Sequence, residues 1–286
     1  MENIGTIIFS LREDKDLSLE NLASGILSKS QLSKVERGLS DISATKFLKL
    51  LDKLHITFSE FNLLYKDIST SPENIYLLKM TQALISGNLN QANLIESDVW
   101  KFHTENSSIY AKLNYIMIKA MRLQIEDKKL DTDSLAFLID YLFKVSNWTR
   151  YELILYGNTM TSIPLESINL LTKEISYKTT LYKKINLSII INLLFNTVIL
   201  NLEAKNYTQV DYFIRTLSSN EFLDIQLGER FLKEYAKALY DYVRDPVKIN
   251  EEKNLNLLNI LKILDSDNLF IAYSKIFEDF KNLNNS

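Results

Sequence analysis

Residues 18–38, SLENLASGILSKSQLSKVERG, restrict what this chain can fold into more than any other stretch. Two short helices with a turn at Gly25 fit the segment. Ser28 and Gln31 have the S-x-x-Q spacing of a capping box, so the second helix starts at Lys29. At about 100° per residue, Leu32, Val35 and Ser28 share one side of that helix. Ser30 and Arg37 point away from it, flanked by Ser33 and Lys34, with Lys29 further round. The small Ala23 and Gly25 predict close approach of the two helices. A helix that buries leucine and valine while showing cations and hydroxyls suits the DNA major groove. Arginine forks onto guanine O6 and N7, serine and lysine reach bases or phosphates, and the helix N-terminus favours a phosphate. Lys29, Ser30, Ser33, Lys34 and Arg37 are therefore the candidate DNA-binding residues. From the basic pattern alone, a solvated surface helix is the alternative.

The segment LA-S-GIL-SKSQLSKVERG, with its S-x-x-x-x-ERG close, resembles the lambda-repressor-like, five-helix helix-turn-helix module over residues 5–65. That resemblance implies DNA binding. It also implies that Glu36 pairs internally with Arg12 on the first helix, which removes both from the DNA-contacting set. Many relatives open the motif with Thr/Ser-Gln, whose glutamine touches the DNA backbone; this chain has Ser18-Leu19. Five short helices at 3–13, 18–24, 28–37, 43–54 and 58–65 make up the module. The last opens on the capping box Thr57-x-x-Glu60, and Leu50, Leu51, Leu54, Phe58 and Phe61 supply the apolar face that closes the module.

Charge limits how this module can bind. Residues 1–66 hold nine Lys/Arg against nine Asp/Glu, and only residues 28–37 are locally basic, with three cations against one anion. So few phosphate contacts make a monomer weak and salt-sensitive, which predicts a homodimer on paired half-sites of double-stranded promoter DNA. Zero cysteines make any dimer non-covalent and exclude disulfides, thiol catalysis and cysteine-ligated metal. The start MENIGTIIFS lacks the pattern of a signal peptide, so a cytoplasmic location is expected.

The polar stretch DISTSPEN breaks the chain, and Ser71-Pro72 reads as a helix start, giving a linker at 66–71. The domains expected are a helix-turn-helix at 1–65 and a helical-repeat domain at 72–286. Six glycines and three prolines are too few for a sandwich or barrel, so the fold class is all-α. Helices are predicted at 72–87, 90–105, 107–126, 132–146, 148–160, 164–178, 180–203, 206–219, 221–243, 252–265 and 267–283, with polar breaks between them. Such lengths, paired every ~35–45 residues, suit a right-handed α-solenoid of tetratricopeptide-like helix pairs. An irregular bundle is the competing architecture. The longest apolar run, residues 187–202, contains Ser188, Asn192, Asn196 and Asn201; it is short for a bilayer span and reads as a buried helix.

Two places in the repeat region carry chemistry. On the predicted helix 180–203, Lys184, Ser188, Asn192 and Asn196 recur at every fourth position, a polar stripe on an apolar rod. Asparagine offers both donor and acceptor, the combination that clamps an extended peptide backbone. The same asparagines could instead tie helix to helix inside the core. In NWTRYELILYGNTM, residues 147–160, Arg150 and Asn158 offer a carboxylate partner and a backbone clamp, whereas Trp148 and Tyr151 read as core.

Together, LSKSQLSKVERGLSDISATKFLKLLDKLHIT and the all-helical tail containing NWTRYELILYGNTM resemble the Rgg/GadR/MutR-type regulators of low-GC Gram-positive bacteria, along essentially the full length. The resemblance implies a cytoplasmic homodimer on promoter DNA whose repeat domain receives a short hydrophobic signalling peptide. It favours Asn158, Asn192 and Asn196 as peptide-binding residues beside Arg150, Lys184 and Ser188. Some members carry a cross-linking cysteine after the recognition helix; this chain has Ser43-Ala44 there. Catalysis is a poor rival, because His55 and His103 are the sole histidines and neither adjoins a nucleophile elbow or Gly-rich turn. Metal-ligand spacing is absent, so neither metal nor cofactor is expected. A protein-interaction scaffold or antitoxin-like module is the nearer alternative; it would bind no operator better than random DNA.

Overall fold

The structure, a computed structural model, describes residues 3–65, 72–105 and 108–285. The described residues are all-helical and divide into two compact units, 1–81 and 82–286. The division falls within α6 (Pro72–Ser86), and the predicted linker at 66–71 lies outside the described residues, as does residue 107, where one helix was expected to begin.

The first unit contains α1 (Ile4–Asp14), α2 (Leu19–Ala23), α3 (Lys29–Glu36), α4 (Ala44–Lys53) and α5 (Phe58–Leu64), close to the five predicted helices. Local chemistry starts most of them. Asn3, Ser18, Ser28 and Thr57 accept the backbone N–H of Thr6, Asn21, Gln31 and Glu60, filling donors that a helix N-terminus leaves open. Among the described residues of this unit, the Thr57–Glu60 pair alone closes the full reciprocal box. Ile8, Leu22, Leu32, Leu50 and Leu54 are wholly buried between the helices, and Phe47 meets Phe61 edge-on at 4.8 Å.

Two devices hold α1 on α3. A Cβ on Gly5 would stand 1.8 Å from the Val35 carbonyl oxygen, so the backbones touch where glycine alone fits. At the other end the buried Arg12 guanidinium donates from Nε to Glu36 Oε1 at 2.7 Å and from Nη2 to Glu36 Oε2 at 3.0 Å. Its Nη1 reaches the Leu17 carbonyl at 2.7 Å, tying in the turn before α2. The bonds to Glu36 raise the Arg12 pKa above its ordinary value.

The second unit contains α7 (Leu89–Glu105), α8 (Ile109–Ile125), α9 (Thr132–Lys144), α10 (Arg150–Thr159), α11 (Leu165–Lys178), α12 (Leu187–Glu203), α13 (Tyr207–Ser218), α14 (Leu227–Arg244), α15 (Lys248–Ile263) and α16 (Asp267–Asn285). Each packs on helices next or next-but-one in sequence, the nearest-neighbour arrangement of a helical repeat. The even-numbered helices α8, α10, α12, α14 and α16 lie side by side, and α9 and α11 adjoin behind them. Gly157 sits at the α10–α12 approach, where a Cβ would come within 3.1 Å of Leu193.

Buried polar ties set the register of this stack. Asn169 of α11 and Asn201 of α12 exchange amide bonds at 3.1 and 2.7 Å. Thr172 bonds Thr197 at 2.9 Å and the Tyr156 hydroxyl at 2.7 Å. Lys178 donates to the carbonyls of Leu142 and Phe143 at 2.9 Å each, capping the end of α9, while the Trp148 backbone N–H donates to the Lys178 carbonyl at 2.6 Å. Trp148 is wholly buried, as the sequence suggested.

Three helix boundaries differ from expectation. The helix predicted at 180–203 begins at Leu187, because Thr179 and Thr180 turn their hydroxyls onto the carbonyls of Ile175, Ser176 and Tyr177 and end α11, and 180–186 continue as turns. The one predicted at 221–243 begins at Leu227, after Gln226 has accepted the Leu223 N–H. The one predicted at 252–265 begins a turn earlier, at Lys248 behind Pro246. The apolar run 187–202 is α12, with Ile191, Leu194, Val198 and Leu202 in the core. No helix among the described residues is long and apolar enough to cross a membrane.

Removing one partner of a buried ion pair strands the other charge, at a cost of ~3–5 kcal/mol, whereas an exposed pair contributes at most ~1 kcal/mol. Glu36→Ala should therefore destabilise the first unit by about 3 kcal/mol. Glu20→Ala, which breaks only the exposed 3.7 Å contact with Lys29, should leave it unchanged within about 0.5 kcal/mol. Amide hydrogen exchange of peptides from α1 and α3 in the full-length protein measures both; similar protection losses in the two variants would refute the account.

Candidate DNA-binding helix and ligand-binding face

In α3 the burial of Leu32 and Val35 leaves Lys29, Ser30, Lys34 and Arg37 exposed and Ser33 half-buried. The five sequence-predicted residues thus share one outward surface. Glu36 faces inward to Arg12, as the resemblance implied. Lys29 lies 3.7 Å from Glu20 of α2, an exposed contact that DNA phosphate can displace. Arg37 is the C-cap residue, and its Nε donates to the Ser33 carbonyl at 3.1 Å, so the guanidinium lies back over the last turn of its own helix.

Gly25 needs correction. It has φ +77° and open space where a Cβ would stand, so it serves the left-handed turn between α2 and α3 rather than their close approach. Sequence reasoning also missed Lys53, whose Nζ donates to the Ser24 carbonyl at 2.8 Å and braces this turn from α4. A lysine 29 residues away leaves no local trace of that contact.

In the second unit, α10 is started by Thr149 and Glu152, which close a capping box. Arg150, its first residue, is exposed. Asn158, in its last turn, is half-buried and spends Nδ2 on the Ile154 carbonyl at 3.0 Å and the Met117 sulfur at 3.8 Å. Eight residues separate the two along one helix, about 12 Å.

The polar stripe is shortened. Lys184 lies in the turns before α12, so its fourfold spacing to Ser188 has no helical meaning; Ser188, Asn192 and Asn196 remain as an exposed stripe on α12. They do not tie helices together in the core; Asn169 and Asn201 do that. Asn192 Nδ2 donates to the Ser188 carbonyl at 2.8 Å, and the Ser188 hydroxyl bonds the Glu229 carboxylate on α14.

Ser188 and Asn192 border a cavity of about 580 Å³ between α12, α14, α15 and α16, with Phe231, Leu261, Leu264 and Tyr273 among its walls. That volume lies within the ~300–1,000 Å³ usual for ligand pockets. Arg150, Asn158, Lys184 and Asn196 do not line it. Aromatic packing shapes one wall: Tyr273 meets Phe231 at 5.6 Å and Phe195 at 5.7 Å, and its hydroxyl pKa is raised by burial. The walls come from helices up to 85 residues from Ser188, so no local sequence pattern marks them.

Comparisons with known proteins agree with this architecture. The family model described as HTH-type transcriptional regulator Rgg, C-terminal domain, matches residues 96–275, more than half of the chain, and a helix-turn-helix model matches residues 8–61. Among solved structures, the SHP pheromone receptor Rgg2 of Streptococcus dysgalactiae is 27% identical over 97% of this chain and 99% of its own, with a TM-score of 0.79. PrgX shares the fold: its complex with iCF10 matches at 17% identity and TM-score 0.77 over 100% of this chain and 98% of its own. Its complex with cCF10 matches at 18% identity and TM-score 0.75 over 96% and 98%. With α3 displayed on a five-helix unit and the Rgg C-terminal domain matched across the helical stack, the chain belongs to the Rgg family of helix-turn-helix transcriptional regulators.

Proposed function

We propose that this regulator is a cytoplasmic homodimer that reads promoter DNA through Lys29, Ser30, Ser33, Lys34 and Arg37 and is switched by a short hydrophobic peptide. Residues 1–65 serve as the DNA-binding domain and 72–286 as the ligand-binding and dimerisation domain. The observation that carries the peptide reading is the α12 stripe, whose Ser188 and Asn192 border an apolar cavity. Exposed amides hold a backbone, and the cavity takes side chains. The related Rgg2 is a pheromone receptor, and PrgX binds iCF10 and cCF10, which supports the same use here. Asn196 on the α12 stripe, Asn158 on the adjoining α10 and the exposed cations Arg150 and Lys184 are the remaining candidates for peptide contact.

The balanced charge of residues 1–66 supports a dimer, because one copy neutralises too few phosphates for tight binding. Control follows if peptide binds more tightly to one arrangement of the two DNA modules than to the other, since a ligand shifts an equilibrium only by its differential affinity.

Arg37→Ala should cost operator preference by about 10- to 100-fold, the range of one lost bidentate base contact, with peptide affinity unchanged. Fluorescence anisotropy against an operator selected from random DNA reads this; parallel loss of peptide affinity would signify misfolding and sink the assignment. Asn196→Ala should weaken a peptide selected for binding by about fivefold, one neutral hydrogen bond, and leave DNA affinity intact. An unchanged dissociation constant by calorimetry would make Asn196 a bystander.

A further inference from the structure

The cavity between α12, α14, α15 and α16 contains one carboxylate without a cation. Glu229, in the first turn of α14, is half-buried on its wall and accepts a hydrogen bond from the Ser188 hydroxyl. The other charged wall residues are engaged: Arg230 pairs with Asp224 at 3.1 Å, and Glu234 lies 3.2 and 3.3 Å from Lys233 and Lys237. Among the described residues no lysine or arginine forms an ion pair with Glu229. Most of the remaining wall is apolar, with Phe231, Leu261, Leu264, Leu269 and Tyr273 around it, and Asn192 and Ser266 are its neutral polar members beside Ser188.

An ionised carboxylate has about four acceptor sites, and Ser188 fills one. An exposed carboxylate edge is otherwise hydrated. A purely apolar peptide entering the cavity displaces that water and leaves the charge with lost hydration, an unfavourable exchange. A ligand carrying an ammonium or guanidinium next to its apolar side chains restores the hydrogen bonds and adds attraction, and an acidic ligand meets repulsion. The Ser188 bond holds Glu229 toward α12, where Asn192 stands to take the backbone.

We propose that Glu229 makes this site selective for a peptide that combines apolar side chains with a cationic group, and against one with an acidic group at the same place. This rests on the peptide reading above and specifies its ligand. The selectivity arises at the α12–α14 contact: Ser188 orients the carboxylate, and a bound ligand together with the apolar walls displaces the solvent that screens it.

The test uses the full-length protein and a library of N-acetylated, C-amidated octapeptides. Seven positions are randomised among Ile, Leu, Val, Phe and Gly, and one position at any place is Lys, Gln or Glu, so the side chain is the sole charge. Retained peptides are quantified by mass spectrometry. The wild type should enrich Lys-bearing over Glu-bearing peptides about tenfold or more; Glu229→Gln should abolish the preference; Glu229→Lys should reverse it. Operator affinity of both variants, unchanged from the wild type, shows that they fold. Equal retention of Lys and Glu peptides by the wild type, or a preference that persists in Glu229→Gln, overturns the inference and leaves the peptide reading standing. Retention of no library peptide by the wild type overturns the peptide reading itself.

Discussion

The exchange of amide bonds between Asn169 and Asn201 decides what the second unit shows to its surroundings. Asn201 and Asn192 are nine residues apart on α12, which places them about 180° apart around the helix. Locking Asn201 against α11 therefore turns Asn192 outward, with Ser188 and Asn196 on the same side. Apolar packing alone would not choose this rotation. Ile191, Leu194, Phe195, Val198 and Ile199 cover much of the circumference of α12, so many rotations bury similar hydrocarbon. Two buried amides tolerate one rotation, because any other leaves both unpaired in the core. Thr197, bonded to Thr172, reinforces the same choice four residues earlier.

The first unit solves the same problem with charge. Its recognition helix α3 is eight residues long and too short to be stable alone. The contact of Gly5 with the Val35 carbonyl fixes its distance from α1, and the Arg12–Glu36 fork fixes its rotation. With Glu36 held inward, the last turn of α3 presents Lys34 and Arg37 without an acid between them. The local positive surface thus depends on an ion pair buried beneath it.

What was legible in the sequence divides along the same line. The helices of the first unit were readable because Ser18, Ser28 and Thr57 act on N–H groups three residues away, so the signal and its effect sit in one window. The stacked-helix class was readable from the scarcity of glycine and proline. Several helix ends even do without glycine, with Asp127, Lys205 and Asp265 taking the left-handed position at φ 53°, 53° and 51°. The start of α12 was misplaced because Leu181, Tyr182 and Ile185 continue the apolar pattern, yet 73%, 39% and 83% of their surfaces are exposed. Periodicity detects spacing and is blind to whether a partner surface exists. The cavity walls were illegible for a stronger reason: α14, α15 and α16 meet α12 through contacts between residues about 40 to 85 positions apart, which no local pattern records.

The near-neutral first unit and the amide-rich second unit also fit together energetically. In the homodimer proposed above, a DNA-binding domain with few phosphate contacts holds its site weakly, so occupancy would depend on two copies being correctly placed at once. A system poised in this way needs little free energy to switch. Coupling of ~1–3 kcal/mol between ligand and DNA sites changes affinity by ~5- to 150-fold. One charge-assisted hydrogen bond and a few buried side chains supply that amount if they form in one arrangement and not the other. A strongly basic first unit would bind DNA whatever the ligand did, and the low charge of residues 1–66 is what leaves room for control.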